Sequence, residues 1–538
     1  MGWLARQIGL RDREYEPRLL GELRVPMRDG VRLRAHHYAP DGGGRRPTVL
    51  VRTPYGIGWH LPLFFMPIIA RALAGRGYNV VLQDARGRYG SEGDFYPFVN
   101  ECDDGQDTAG WIADQPWFDG RLGMWGPSYL GYTQWAVARH PPDFLRAIVP
   151  IVTSTDMHGL FYPGGAFSLI SALRWASGNG ERRGRLPPER RLPGAARTRP
   201  LRDATRAAGR PAPFFEDWAD HPSADEYWAK IDLPDALRAR PVPCLHIAGT
   251  YDIFCGPQLA DFAAGSETTF LDLGPLSHGS YATSRRRLGW REAGIARVLS
   301  SSVEFLDHHL QGRPLDRARV RRYVQGDDRW TSDESWPPGG SRPLRLHLRT
   351  GGRLDREAAG GDDEPASFVY DPQDPVPTIG GSFLGPRCGP ADQSSITSRR
   401  DVLVFETPPL ERTLHVAGPV RATLHVESDA PATDFTAKLV HVPGDTGRPA
   451  LNVCDGIRRL DPLAPGVSAV EVDLWHASLA AQPGDRLRLE VSSSNFPRYD
   501  AHPNVAGNPA LATSSRRARQ RIHLSRTAPS YLDLHVVG

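Results

Sequence analysis

"MWGPSYLGYTQ" (residues 124–134) places Ser128 between Gly126, two residues before it, and Gly131, three residues after it. The preceding "GRLGMWG" (120–126) reads as a short buried strand, and "SYLGYTQWAVARH" reads as a helix. A serine on a strand-to-helix turn is a candidate nucleophile, with the small residues letting strand and helix approach one another. The common nucleophile pattern is G-x-S-x-G, whereas here Leu130 occupies the second position after the serine and glycine follows one later. Taken alone, the stretch fits a nucleophile and an ordinary glycine-flanked turn equally.

The surrounding chain supplies the context. Residues 22–40, "ELRVPMRDGVRLRAHHYAP", carry two alternating segments around an "RDG" turn and predict a β-hairpin. "PTVLVRTPYG" (47–56) is a strand running into a Pro-Tyr-Gly loop. "IIARALAGRGYNVVLQDARGRYGSEG" then reads as helix, glycine break, strand and Gly-rich loop. "DDGQDTAGWIADQ" (103–115) has aspartates where a helix dipole favours them, and "LRAIVPIVT" (145–153) is another strand. The alternation of strands and helices predicts a mostly parallel sheet covered on both faces. From about 155 to 240 aromatics, Gly, Pro and helical fragments replace it, as in an inserted helical cap. The rhythm returns with "VPCLHIAGTYDIF" (242–254), "TTFLDLGPLSHGS" (268–280), a helix containing "SVEFLDHHLQG" (302–312) and a last strand in "VRRYVQGDDRW" (320–330). Beyond about 340 short alternating strands between Pro/Gly/Asp turns predict a β-sandwich of jelly-roll type. The expected organisation is a discontinuous α/β-hydrolase domain (1–153 and 241–340), a cap (154–240) and a C-terminal jelly roll (341–538).

Composition excludes several classes. The 538 residues are 40% hydrophobic and 24% charged, with a net charge of +3, so nothing calls for nucleic acid or an anionic membrane as partner. The longest apolar run, "LPLFFMPIIARALA" (61–74), is interrupted by Pro67 and Arg71 and is too short to span a bilayer. Lysine occurs only at Lys230 and Lys438, and the arginine-rich "ERRGRLPPERR" (181–191), broken by Pro and Gly, reads as a solvated loop. The five cysteines form no metal-type CxxC pair, and "MGWLARQIGLRDREYEP" has no apolar core followed by a cleavage site. The expectation is a reduced, cytoplasmic protein without metal or cofactor, its oligomeric state open, a homodimer included.

A serine hydroxyl needs a general base, a carboxylate to orient that base, and donors for the oxyanion. Asp252 follows the strand "CLHIAGTY", and His278 follows "TFLDLGP" in a Gly/Pro-rich loop. Both lie at the carboxyl ends of expected parallel strands, where open α/β sheets build their sites. The order Ser128, Asp252, His278 is that of an α/β-hydrolase. Competing histidines are worse placed: His246 falls inside a strand, and His308 and His309 on a helix. The backbone N–H of Tyr129 is one expected oxyanion donor. The phenol of Tyr55, in "RTPYG", is either a second donor or a packed loop residue.

The chain resembles the CocE/NonD family of serine hydrolases, related to X-Pro dipeptidyl-peptidases and cocaine-esterase-type enzymes. The resemblance rests on "VPMRDGVRLRAHHYAP" (25–40), "RTPYG" (52–56), "GYNVVLQDARGRYGSEGDF" (77–95), "ECDDGQDTAGWIADQPWFDGRLGMWGPSYLGYTQWAVA" (101–138), "GTYDIFCGP" (249–257), "LGPLSHG" (273–279), "FLDHHLQG" (305–312) and "VQGDDRW" (324–330). In that family the elbow reads G-x-S-Y-x-G, which Leu130 and Gly131 fit. The resemblance implies Ser128 as nucleophile, His278 as base, Asp252 as orienting acid, and Tyr55 O–H with Tyr129 N–H as oxyanion hole. It also suggests Phe161, Trp175 and Phe254 as walls of an acyl pocket. The expected activity is cleavage of a small-molecule ester or amide through an acyl-enzyme. Alternatives are an X-Pro or amino-terminal peptidase, which needs carboxylates facing the pocket to meet an α-amine, Asp156 and Glu181 being carboxylates of the cap that the sequence does not place; an acyl transferase or hydrolase of a secondary-metabolite pathway; and a non-catalytic binding protein on the same fold.

Overall fold

Ten strands make one mixed sheet in the computed structural model, which describes residues 10–58, 66–238, 240–278, 294–361, 363–445 and 447–538. They are β1 (Pro17–Pro26), β2 (Arg32–Pro40), β3 (Arg46–Thr53), β4 (Asn79–Asp84), β5 (Phe118–Pro127), β6 (Leu145–Ile151), β7 (Cys244–Tyr251), β8 (Thr269–Ser277), β9 (Val320–Val324) and β10 (Arg329–Asp333). Their spatial order is β1-β2-β4-β3-β5-β6-β7-β8-β9-β10. Pairing is parallel from β4 to β9 and antiparallel at both margins. Parallel strands covered on both faces read as nearly continuous apolar runs, and β4 and β7 are buried at every position.

The register of this sheet brings three loop residues together. Ser128, Asp252 and His278 are each the first residue beyond a strand: β5 ends at Pro127, β7 at Tyr251 and β8 at Ser277. Tyr251 and Ser277 are partners across β7 and β8, so Asp252 and His278 emerge side by side. The chain leaves β3 for β4 on one side and returns to β5 on the other. The crevice between β3 and β5 is therefore a topological switch point. Tyr55 flanks it from just after β3 and Ser128 from just after β5.

The helices over this sheet include α1 (Met66–Ala74), α2 (Glu101–Ala113) and α3 (Tyr129–Ala138). Between β6 and β7 the regular elements among the described residues are helices, including α4 (Leu169–Asn179) and α5 (Pro213–Asp220). They close around an aromatic core in which the Phe161 and Trp218 rings are 4.2 Å apart and Phe214 and Trp218 are 5.0 Å apart. The run 181–191 contains no regular helix, in line with the loop expected there. Helices α6 (Cys255–Ala264) and α7 (Ile295–Gln311) complete the layer. Helix α7 presses so closely on β5 that a Cβ on Gly123 would stand 2.7 Å from Leu310.

The C-terminal part holds eleven strands, from Arg342–Arg349 to Tyr531–Val537, among the described residues. They enclose their own core, with Val416, Phe435, Leu489 and Leu532 fully buried. The architecture is an α/β-hydrolase fold with a helical insertion and a C-terminal jelly roll. Two readings of the sequence need correction. The single last strand expected at 320–330 is a hairpin, β9 and β10, turning at Gly326 and Asp328, both at positive φ. The alternating runs that the sequence offers beyond 340 number seven, from "PLRLHLRT" (343–350) to "DRLRLEVSSS" (485–494), and strands Arg353–Asp355, Leu451–Leu460, Ala518–His523 and Tyr531–Val537 are additional to them. Leu451–Leu460 buries Asn452 and Asp455, which erases the alternation a half-buried strand should show. No helix among the described residues is long and apolar enough to cross a membrane.

Asp261 on α6 anchors the first residues of the insertion. It accepts from Thr155 N–H at 2.9 Å and Thr155 O–H at 2.7 Å, and burial pushes its carboxyl from 3.8 up to about 7. A carboxyl with a raised folded-state value stabilises below its unfolded value and loses that contribution as pH rises through the folded one. Wild-type stability, measured by urea unfolding against Asp261→Asn, is expected to fall between roughly pH 4 and 7 by at most about 4 kcal/mol and to be level outside that window. A difference independent of pH would contradict the burial of this carboxyl.

Candidate active site

Ser128 adopts φ 58°, ψ −125°, a left-handed conformation that a residue with a Cβ rarely takes. Its N–H donates to Ile151 O on the neighbouring strand at 2.8 Å, and its carbonyl accepts from Gly131 N–H at 2.8 Å and Tyr132 N–H at 3.1 Å. The flanking glycines are steric necessities. A Cβ on Gly126 would lie 2.5 Å from the Leu130 Cβ, and one on Gly131 would lie 2.2 Å from the Thr153 methyl. These contacts explain the late glycine of "GPSYLG": Thr153, two residues beyond β6, stands against α3 at position 131 and leaves room there for hydrogen only.

His278 Nε2 stands 3.0 Å from Ser128 Oγ. On its other side His278 Nδ1 is 2.9 Å from Asp252 Oδ2. Asp252 is completely buried, and its second oxygen accepts from Phe254 N–H at 2.9 Å. The three residues expected from the sequence thus form one continuous chain of contacts. The rejected histidines stand elsewhere: His246 is buried in β7 with burial pushing it down to about 3, and His309 is lowered to about 4.

Both tyrosines border the serine. Tyr129 begins α3, and first-turn amides of a helix have no intrahelical acceptor. Its side chain is locked from beneath. The hydroxyl donates to Glu101 Oε1 at 2.8 Å and accepts from Phe98 N–H at 2.9 Å, while Glu101 Oε2 meets Arg52 at 2.8 Å. Burial raises the Glu101 carboxyl, and Arg52 and the tyrosine hydroxyl oppose that rise. The Tyr55 hydroxyl accepts from Trp175 Nε1–H at 2.9 Å and lies within reach of the Ser128 side chain.

A cavity opens above Ser128. Phe161, Trp175 and Phe254, the three residues suggested as walls, all line it, together with Phe98, Leu160 and Ile253. Besides Phe98, Leu160 and Ile253, which the sequence reading did not single out, two contributors come from distant parts of the chain. Leu384 reaches the cavity from the C-terminal part, its N–H donating to Ser171 Oγ of α4 at 3.1 Å. Arg88, from "ARGRYG", is fully buried beneath Tyr55: Nε donates to Pro54 O at 2.7 Å and Nη1 to Asn179 O at 2.9 Å at the carboxyl end of α4. Nothing in a Gly-rich arginine loop distinguishes such an arginine from a solvated one. Asp156 and Glu181 stand outside the cavity lining. Asp156 caps the short helix Met157–Phe161 through Gly159 N–H, and Glu181 pairs with Arg185 and Arg210.

The glycine contact is directly testable. Gly131→Ala is expected to cost on the order of 1–3 kcal/mol by overpacking and to reduce turnover at Ser128. Adding Thr153→Ala, which removes the methyl that a new Cβ would strike, is expected to recover part of both. Thermal unfolding and turnover of the single and double variants check this, and an unchanged Gly131→Ala protein would contradict the steric account.

Residues 29–280 match the X-Pro dipeptidyl-peptidase (S15 family), and residues 315–533 match the X-Pro dipeptidyl-peptidase C-terminal non-catalytic domain. The chain is 37% identical to cocaine esterase of Rhodococcus sp. (strain MB1 Bresler), over 95% of this chain and 97% of that protein. Among solved structures it is similar to an aminopeptidase from the marine sediment archaeon Thaumarchaeota archaeon, at 27% identity, TM-score 0.85 and 97% of each chain. It is also similar to an α-amino acid ester hydrolase, at 26% identity and TM-score 0.83, over 98% of this chain and 97% of that one. A likeness that spans both the hydrolase and the C-terminal part, with one relative above a third identical, leaves a single assignment: the chain belongs to the CocE/NonD family and is a serine hydrolase that acts on esters.

Proposed function

We propose that this enzyme hydrolyses esters of small, uncharged, apolar acyl groups through an acyl-enzyme on Ser128. The observation that carries the reading is the Asp252–His278–Ser128 contact chain at the floor of a cavity with no carboxylate in its described lining. His278 Nε2 takes the proton of Ser128 as Oγ attacks the carbonyl carbon. Asp252 accepts from Nδ1–H, which fixes the tautomer and stabilises the imidazolium that forms. The negative charge on the former carbonyl oxygen is met by Tyr129 N–H and Tyr55 O–H. The imidazolium then protonates the departing alkoxide. Water, deprotonated by the same nitrogen, attacks the acyl carbon and releases the carboxylic acid and Ser128.

Two relatives are named for substrates bearing an α-amino group, an aminopeptidase and an α-amino acid ester hydrolase. A buried ammonium requires a charge partner. Here Asp156 and Glu181 are engaged elsewhere, and Phe161, Trp175, Phe254, Leu160 and Ile253 favour burial of a hydrocarbon or aromatic acyl group. We read residues 1–153 and 241–340 as the catalytic domain, 154–240 as its cap and 341–538 as a jelly roll that helps wall the cavity, with Leu384 supporting the last role. All five cysteines are free thiols, which favours a reducing compartment such as the cytoplasm.

Hydrolysis of p-nitrophenyl butyrate and p-nitrophenyl benzoate, compared with phenylglycine methyl ester and Gly-Pro-p-nitroanilide, tests the reading. The two neutral esters are expected to be preferred at least tenfold in kcat/KM. Ser128→Ala is expected to lose about 10⁴- to 10⁶-fold in kcat and to escape labelling by a fluorophosphonate that marks the wild type. Preference for the amino substrates would overturn the acyl assignment, and turnover surviving in Ser128→Ala would overturn the mechanism.

A further inference from the structure

The Tyr55 phenol has one proton and two in-plane directions in which it can point. Its hydrogen-bond partners decide which one it takes. An indole N–H can only donate. In the 2.9 Å contact with Trp175 Nε1, Tyr55 Oη is therefore necessarily the acceptor. That occupies one in-plane direction and leaves the proton for the other, and the Ser128 side chain is also within reach of the hydroxyl.

The indole is itself aimed by its surroundings. It lies nearly parallel to the Tyr129 ring, at 5° and 6.1 Å, and to Phe98, at 17° and 6.2 Å. Phe214 and Trp218 of α5 stand at 5.7 and 5.8 Å. The backbone on both sides is clamped as well. Arg88 holds Pro54 O with Nε and holds Asn179 with Nη1 and Nη2, the latter at 3.1 Å from Asn179 Oδ1. Asn179 Nδ2 in turn donates to Trp175 O at 2.9 Å. The path Tyr55, Trp175, Asn179, Arg88, Pro54 closes on itself, so the tyrosine loop and α4 are tied at two points.

We propose that Trp175 is a positioning residue for the oxyanion: its indole N–H sets the Tyr55 hydroxyl so that the single phenolic proton faces the reacting carbonyl oxygen. The inference rests on the proposed role of Tyr55 as an oxyanion donor. Trp175 then has two separable tasks, a wall for the acyl group through its ring and an orienting donor through its nitrogen. Without the N–H, the phenol can turn its proton away and must be reoriented at each attack. That penalty falls on the transition state and leaves ground-state binding unchanged.

The experiment is a double-mutant cycle on p-nitrophenyl butyrate. Trp175 is replaced by β-(3-benzothienyl)alanine, which keeps the shape and exchanges the N–H for sulfur. Tyr55→Phe removes the acceptor. Fluorophosphonate titration of Ser128 normalises every preparation to folded sites. The sulfur isostere is expected to lower kcat about 3- to 10-fold, the range of one neutral hydrogen bond, with KM within twofold. Tyr55→Phe is expected to lower kcat by about 10²-fold, as for other lost oxyanion donors. In the Tyr55→Phe background the isostere is expected to have no further effect, because there is no hydroxyl left to orient. An unchanged kcat in the isostere alone, or a factor that persists undiminished beside Tyr55→Phe, overturns the positioning role. A Tyr55→Phe protein with wild-type kcat overturns the oxyanion reading, and this inference with it.

Discussion

The backbone of Ser128 is the constraint on which the site is built. A non-glycine residue at φ 58°, ψ −125° costs on the order of 1–3 kcal/mol and persists only where its surroundings leave no alternative. The surroundings here are a strand on one side and a helix start on the other. Ile151 of β6 accepts the Ser128 N–H, and α3 closes its first turn on the Ser128 carbonyl. Relaxing the strain would break both. The turn that carries Ser128 Oγ also begins α3, so the serine and the first amide of the helix share a single local geometry. The rest of the fold has to keep that turn in place and bring a histidine to it.

Parallel register does the second job. Since β7 and β8 end as partners, one residue of overshoot on each brings Asp252 beside His278 without any long loop. Buried ions do the first. Arg52, Glu101 and Tyr129 form a fully buried chain under α3, with burial pushing the Glu101 carboxyl up against the pull of Arg52. Such a pair contributes little net stability against an apolar replacement, yet removing one partner strands the other at a cost of several kcal/mol. Its effect is to make the position of Tyr129 all-or-none. Arg88 performs the equivalent task for Tyr55, its charge met by carbonyls at the carboxyl end of α4, where the helix dipole favours a cation.

What the sequence disclosed follows from this division. A strand, a turn and a helix around a serine leave a periodic trace, and so do acidic and histidine residues each placed just beyond an apolar run. Those signals located Ser128, Asp252 and His278, and the "PYG" loop located Tyr55 once the family resemblance was added. The supporting residues leave no trace of that kind. Arg88 sits among other arginines in a Gly-rich loop, and only its complete burial sets it apart. Leu384 lies more than a hundred residues beyond His278 and joins the cavity through tertiary packing alone. The strand Leu451–Leu460 escaped for a related reason: its polar side chains point inward, where Asp455 meets Arg498 and Asn495, so hydropathy alternation carried no information there.

The placement of Trp175 links specificity to catalysis. Were the helical insertion only a lid, its residues could vary with the acyl group while the chemistry below stayed constant. Trp175 does not allow that separation, because the same indole lines the cavity, stacks on Tyr129 and donates to Tyr55. Exchanging it for a smaller side chain to admit a bulkier acyl group would also remove the donor to the Tyr55 phenol and the ring stacked on Tyr129. Phe161 lines the same cavity and packs against Trp218 and Trp228, Ile253 lines it from beyond β7, and Leu384 is held to α4 through its backbone. Adaptation to a new acyl group is therefore cheapest at those three positions, and position 175 is the one where a gain in room is offset by a loss in rate.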